Sequence, residues 1–170
     1  TAQAVRVLDE ATAALQQAGP WFLAPVRCYR ATLALQRGNP DEAIALSRDS
    51  LIDIRLLQDK YAYVYALIPL AGAALLKGDA RWAARLLGAH DALAERSGFT
   101  IAINLLNDLR RRSERDAHKL LGPDRWQQEH AAGSGMSIDQ LMNQIERHAA
   151  RPAAKRRQRE PDRRPLPIDS

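Results

Sequence analysis

The sequence predicts an all-α protein. Ala and Leu are abundant, aromatic residues make up only 5% of the chain, and β-branched residues do not form strand-like runs. A more specific observation is that one pattern occurs twice, forty positions apart, at residues 31–46 and 71–86. In both copies an apolar helical run ends at Gly, turns through Asn or Asp, and continues into a second helical run. This pattern predicts two antiparallel helical hairpins.

Small residues mark the same positions in both copies. Each copy has Ala seven positions before the glycine and Ala again five positions after it. Only a small side chain lets the two helices of a hairpin cross closely, and glycine readily adopts the left-handed conformation that ends a helix. Six residues are therefore assigned to the repeat architecture: Ala31, Gly38, Ala43, Ala71, Gly78 and Ala83.

The first three predicted helices follow from apolar spacing and from helix start and stop signals. A helix over 2–18 ends before Gly19-Pro20, and a second over 21–37 ends before Gly38. Asn39 can cap the third, which has Pro40 at its first position and runs to about residue 58.

Five more helices are predicted after residue 60. The fourth, over 61–77, is almost entirely apolar and contains Pro69, which should kink it. Asp79 opens the fifth, and the sixth combines an apolar row with many charges. We expect Gly133-Ser134-Gly135 to be a flexible connector between the last two. The fifth to eighth predicted helices span 79–98, 101–121, 124–131 and 138–149.

The positive charge is concentrated at the end of the chain. The whole chain has a net charge of +5, but residues 151–170 hold seven basic and three acidic residues, a net of +4. Residues 1–150 are therefore nearly neutral. Four prolines and seven basic residues in twenty positions cannot form a core. We divide the chain into a helical domain at 1–150 and a basic, Pro/Arg-rich disordered linker or tail at 151–170.

Composition indicates a cytoplasmic protein. Cys28 is the only cysteine, so no intramolecular disulfide or Cys-rich metal site can form, which is typical of a reducing compartment. The longest uncharged run, 61–76, contains Pro69 and is shorter than the roughly 20 residues that span a bilayer. We expect no membrane association.

No motif in the sequence predicts catalysis. The phosphate-binding pattern Gly-x-x-x-x-Gly-Lys-Ser/Thr is absent. The four histidines lack metal-ligand spacing, and Cys28 on an apolar helix is expected to be a small buried group. The run Arg110-Arg111-Arg112 has acidic residues within one helical turn, which favours a salt-bridged face over a nucleic-acid patch. We expect no cofactor in this segment and no enzymatic activity.

The doubled stretch resembles the tetratricopeptide (TPR) repeat, although its period is forty rather than 34. The resemblance implies a superhelix whose concave surface is lined by the first helix of each hairpin. A generic helical bundle is the alternative. Such a groove would suit a helix or an apolar ligand, unless the same positions pack against a neighbouring repeat. By this correspondence the groove residues are Pro25, Cys28, Thr32, Gln36, Tyr65, Ile68, Gly72 and Leu76.

The second half resembles the end of the repeat array in bacterial transcriptional regulators with a STAND-type ATPase module and often a LuxR-type helix-turn-helix. The motifs occur in the family's order: Leu86-Leu87-Gly88-Ala89, Leu121-Gly122, Trp126, Gly133 and Met136-Ser137-Ile138-Asp139-Gln140. The resemblance implies a non-enzymatic sensor or protein-interaction module that relays binding of a protein or small inducer to ATPase and DNA-binding domains. DNA contact would come from a separate domain, or weakly from the basic tail.

A stand-alone TPR-like adaptor or dimerisation module, with the tail as a tether, is the alternative function. A homo-oligomer is compatible with either function.

Overall fold

A computed structural model describes residues 20–57, 59, 62–98 and 104–149, and also places residues 3, 6, 7 and 10 in helix. This part of the chain is all-α and contains no strand. Its helices are α1 (Pro20–Gln36), α2 (Pro40–Leu56), α3 (Tyr63–Leu76), α4 (Ala80–Ser97), α5 (Asn104–Leu121), α6 (Pro123–Ser134) and α7 (Ile138–Ala149).

The two predicted hairpins are present as α1–α2 and α3–α4. Gly38 and Gly78 end the first helices with φ of 73° and 82°, in the left-handed region that glycine adopts without strain. The amide of the following residue then donates a hydrogen bond to a carbonyl near the end of the helix. Asn39 N donates to Ala34 O at 2.9 Å, and Asp79 N donates to Ala74 O at 2.8 Å. The predicted turns are confirmed.

The second helix of each hairpin starts at a side-chain cap. Asn39 Oδ1 accepts from Glu42 N at 3.2 Å, and Asp79 Oδ1 accepts from Trp82 N at 2.9 Å. Each cap satisfies one of the amides that a helix start leaves without an intrahelical acceptor. The capping role predicted for Asn39 is confirmed, and Asp79, which was predicted to begin the following helix, caps that helix in the same way.

Consecutive helices pack on each other from α1 to α4, and α5 and α6 pack back onto α3 and α4. α2 contacts both α1 and α3, α4 packs on α3, and α5 lies against both α3 and α4. α6 packs mainly on α4, and α7 inserts Leu141, Met142 and Ile145 into the main core. α3 is buried along most of its length. None of the helices in the described part of the chain is long and apolar enough to cross a membrane.

The four alanines assigned to the architecture are all fully buried. Ala31 and Ala43 belong to a small cluster with Ala34 and Ala73, where α1, α2 and α3 meet. Because these side chains are single methyl groups, the three helices approach closely.

The connector predicted at Gly133-Ser134-Gly135 is wrong, because Gly133 and Ser134 belong to α6. Gly133 packs against the backbone of Arg85, and Ser134 Oγ donates to Gly88 O at 3.1 Å. Tertiary contact with α4 therefore keeps this glycine helical. Most of the helix predicted over 2–18, and all of residues 151–170, lie outside the described residues.

Candidate functional site

A groove of about 350 Å³ runs between α1, α3 and α5. Half of its lining is formed by leucines and a glycine, and the other half by polar and charged side chains. The lining residues are Thr32, Leu35, Gln36, Gly72, Leu75, Leu76, Leu105, Asp108, Leu109, Arg112, Ser113 and Asp116. We refer to it as the α1–α3–α5 groove.

Gly72 allows the three helices to meet at the floor of this groove. A Cβ built at Gly72 would lie 2.8 Å from Leu35 Cδ1 and 3.3 Å from Leu109 Cδ1. The leucines of α1 and α5 therefore lie against the backbone of α3. A methyl group at Gly72 would require the ends of these two leucine side chains to shift, so the glycine gives them room against α3.

The charged groups of the groove belong to α5. Asp108, Arg112 and Asp116 follow one another at four-residue spacing on one face of that helix, and all three side chains are exposed. Asp108 lies 3.7 Å from Arg111, and Gln36 adds an exposed amide from α1. An apolar surface flanked by exposed polar groups is the usual composition of a binding groove.

The structure brings together four of the eight residues predicted to line a groove, namely Thr32, Gln36, Gly72 and Leu76. They come from the first helices of the two predicted hairpins. The Thr32 hydroxyl is engaged internally, since it donates to Cys28 O at 2.9 Å.

The other four predicted residues do not line this groove. Cys28 and Ile68 are fully buried in the main core, while Pro25 and Tyr65 are half-buried. Cys28 Sγ faces Ser50 Oγ on α2 at 3.9 Å. Packing against a neighbouring helix, the alternative left open by the sequence, therefore applies to Cys28 and Ile68.

The environment of Cys28 makes it unreactive. Burial raises the pKa of this thiol to about 12, and the opposing effects of the Ser50 hydrogen bond and the Arg27 charge are smaller. Because the thiolate is the nucleophilic form, Cys28 is a packing residue.

Sequence reasoning missed the contribution of α5. Leu105, Leu109, Arg112 and Asp116 are spaced by four, three and four residues and therefore share one face of the helix. This spacing was visible in the sequence. Which neighbour that face meets depends on how α5 packs on α3, and the sequence did not show this.

Asp91 joins three helices away from the groove. Arg110 on α5 donates to both of its carboxylate oxygens, at 2.7 and 2.8 Å. His90 Nδ1 and His130 Nε2 donate at 2.8 and 3.0 Å. Burial opposes ionisation of Asp91, but these hydrogen bonds and the Arg110 charge outweigh it and hold its pKa well below the usual range.

The carboxylate of Glu129, on α6, is the buried centre of a second charged cluster. Its side chain is only 2% exposed, and it accepts from Arg85 Nε at 2.6 Å and lies 2.8 Å from Arg125. Arg81 lies further away, at 4.0 Å. The carboxylate links α6 to α4 through these guanidinium groups.

Two further residues that the sequence analysis considered, His148 and Arg110, also have interaction partners. His148 stacks on Trp82 with ring centroids 4.2 Å apart, and Arg110 is paired with Asp91 and Glu114 as predicted for a salt-bridged face. Across the described residues, no group of three or more His, Cys, Asp or Glu side chains could hold a metal ion.

Comparisons of this chain with protein-family models, with curated proteins and with solved structures found no match.

Proposed function

We propose that this chain is a TPR-like interaction module, and that the α1–α3–α5 groove is its binding surface. The observation that carries the proposal is that the first helices of both hairpins, together with α5, line one groove. This is the arrangement expected where successive repeats stack with their first helices on one side.

The groove favours an amphipathic helix as its partner. Leu35, Leu75, Leu76, Leu105 and Leu109 provide an apolar surface, and Leu76 is 55% exposed. The polar groups lie on α5 and at Gln36. A helix with leucines at i, i+4 and i+7 would bury its apolar face here and keep its polar face in water.

We further propose that the module is a non-enzymatic sensor or interaction segment of a bacterial transcriptional regulator of the STAND/LuxR type. The order of motifs from Leu86 to Gln140 supports this. The module would pass binding of a protein or small inducer to ATPase and DNA-binding domains. Reading the gene beyond Ser170 tests this proposal. A helix-turn-helix is expected there. An immediate stop codon would contradict the proposal of a regulator and favour the stand-alone adaptor.

A direct binding experiment tests the groove. A fluorescein-labelled model peptide with leucines at i, i+4 and i+7 should bind the whole chain in an anisotropy titration. Leu76→Arg puts a charge against the apolar face and should weaken binding at least about tenfold, a difference of roughly 1.4 kcal/mol. Leu120→Arg is the matched control, because Leu120 is also exposed, near the end of α5, but outside the groove.

Equal losses in the two variants, or no binding by the parent chain, would contradict the groove proposal. A scrambled peptide of the same composition checks that the effect depends on an amphipathic helix.

An exposed apolar pair on α2 favours dimerisation as a second candidate function. Leu56 is 77% exposed and Ile52, one turn earlier, is 46% exposed. They line a depression with Met142 of α7. Analytical ultracentrifugation tests this candidate: a dimer that Leu56→Arg dissociates and Leu120→Arg does not is expected. A monomer at all concentrations would contradict it.

A further inference from the structure

A second cavity, of about 600 Å³, lies where α2, α3, α4, α5 and α7 meet. Its volume falls in the range of small-molecule sites. The walls are apolar, formed by Ile44, Leu70, Ala74, Leu120, Leu121 and Ile145. Polar side chains also line it: Lys77, Asp79, Arg81 and His148. We refer to it as the α4–α7 cavity.

Arg81 supplies a positive charge to this cavity. It is 64% exposed and lies 4.0 Å from Glu129, whose carboxylate already has Arg85 and Arg125 within 3 Å. One negative charge therefore faces three guanidinium groups. Because Arg81 is the most distant of the three, its guanidinium group is the least engaged by Glu129.

The other charged groups of the lining are engaged with each other or with neighbours. Lys77 Nζ donates to Asp41 at 2.6 Å. Asp79 caps α4 through Trp82 N and lies 3.4 Å from His148 Nδ1. Within this lining, Arg81 is thus the charged side chain best placed to recognise a ligand.

An aromatic stack closes one side of the cavity. The rings of Trp82 and His148 lie 4.2 Å apart and are nearly parallel, at 3°. The stack holds the end of α7 against the start of α4. Ala149, the last residue of α7, also lines the cavity, so a bound molecule would contact both helices.

We propose that the α4–α7 cavity binds a small amphipathic carboxylate. The apolar part would pack against Ile44, Leu70 and Ala74, and the carboxylate would accept hydrogen bonds from Arg81. Charge complementarity selects this class over an alcohol of the same length, which offers no negative charge. It also disfavours an amine, which Arg81 would repel, since the Asp79 carboxylate in the lining is engaged by Trp82 N and His148.

Isothermal titration calorimetry of the whole chain with octanoate, octan-1-ol and octylamine tests the ligand class. Octanoate is expected to bind at one site, and octan-1-ol and octylamine each about tenfold more weakly or worse. Arg81→Gln should weaken octanoate binding by about tenfold. Arg147→Gln is the matched control, since it removes the same charge from an exposed position of α7 outside the lining.

The position of the ligand is tested separately. Ala149→Leu should narrow the cavity and weaken octanoate binding, and the indole N–H resonance of Trp82 should shift on titration with octanoate. Absence of saturable octanoate binding, equal affinity for octan-1-ol, or an equal loss in Arg147→Gln would overturn the proposal. The cavity is separate from the α1–α3–α5 groove, so neither result depends on the other.

Discussion

Gly133 of α6 lies directly against the backbone of Arg85 in α4. A Cβ built on Gly133 would lie 1.9 Å from the Arg85 carbonyl oxygen, and one built on Gly88 would lie 2.0 Å from the His130 carbonyl oxygen. The two glycines therefore let the backbones of α4 and α6 come into contact. Any side chain at either position would separate the helices.

Gly133→Ala is expected to lower the free energy of unfolding by about 3 kcal/mol, because the added methyl group meets backbone rather than a flexible side chain. Urea unfolding followed by circular dichroism measures the change. Gly135→Ala is the control, since the nearest atom to its Cβ would be 3.7 Å away and its φ of −80° suits alanine. Equal destabilisation of the two variants would contradict the close crossing.

Removing the Glu129 carboxylate should also destabilise the protein. Glu129→Gln leaves Arg85 and Arg125 without their anionic partner and should cost about 2 kcal/mol in the free energy of unfolding. The same measurement on Glu146→Gln provides a matched control. Glu146 pairs with Arg48 at the surface, where an ion pair contributes less than about 1 kcal/mol. A smaller loss at Glu129 than at Glu146 would contradict the structural role of the buried Glu129 carboxylate.

Asp91 should make the stability depend on pH in the acidic range. Its pKa in the folded protein lies below the usual range, whereas a carboxyl of this type in an unfolded chain titrates near about 3.9. The stabilisation is therefore fully present above that value and is lost as the pH falls below it.

The urea midpoint of the parent chain should consequently fall more steeply below about pH 4 than that of Asp91→Asn. Asp49→Asn, at an exposed position of α2, should keep the parent's steep dependence. Parallel pH profiles for the parent and Asp91→Asn would show that Asp91 is not the responsible group.

Cys28 should be protected from thiol reagents. With the thiol buried and its pKa raised to about 12, Ellman's reagent at pH 8 should not react with the folded chain. In concentrated urea, one thiol per chain should react, because Cys28 is the only cysteine. Equal reaction rates in the folded and unfolded chains would rule out the packing described for α1 and α2.

The local chemistry of the two hairpins could be predicted from the sequence. Gly38 and Gly78 adopt left-handed conformations, and Asn39 and Asp79 cap the following helices. These features depend on a few neighbouring residues, so their pattern is sufficient to place them. The same reasoning located α7, predicted at 138–149 and observed at Ile138–Ala149.

The candidate site was only partly predictable. Thr32, Gln36, Gly72 and Leu76 lie together in one groove, but Cys28 and Ile68 lie in the core. The repeat pattern assigns a residue to one face of a helix. Whether that face is buried depends on how the neighbouring helices pack against it. α5 supplies half of the groove lining, and its packing on α3 involves residues far apart in the sequence.

The sequence by itself determined where the helices of the repeated stretch begin and end, since caps, glycines and apolar spacing act over one or two turns. Tertiary structure decided at which small residues two helices contact each other. Gly133 looked like part of a loop, but contact with Arg85 made it helical. Tertiary structure also gathered Arg81, Arg85 and Arg125 around Glu129 and joined α5 to the groove. Such arrangements come from helix packing, which no local pattern encodes.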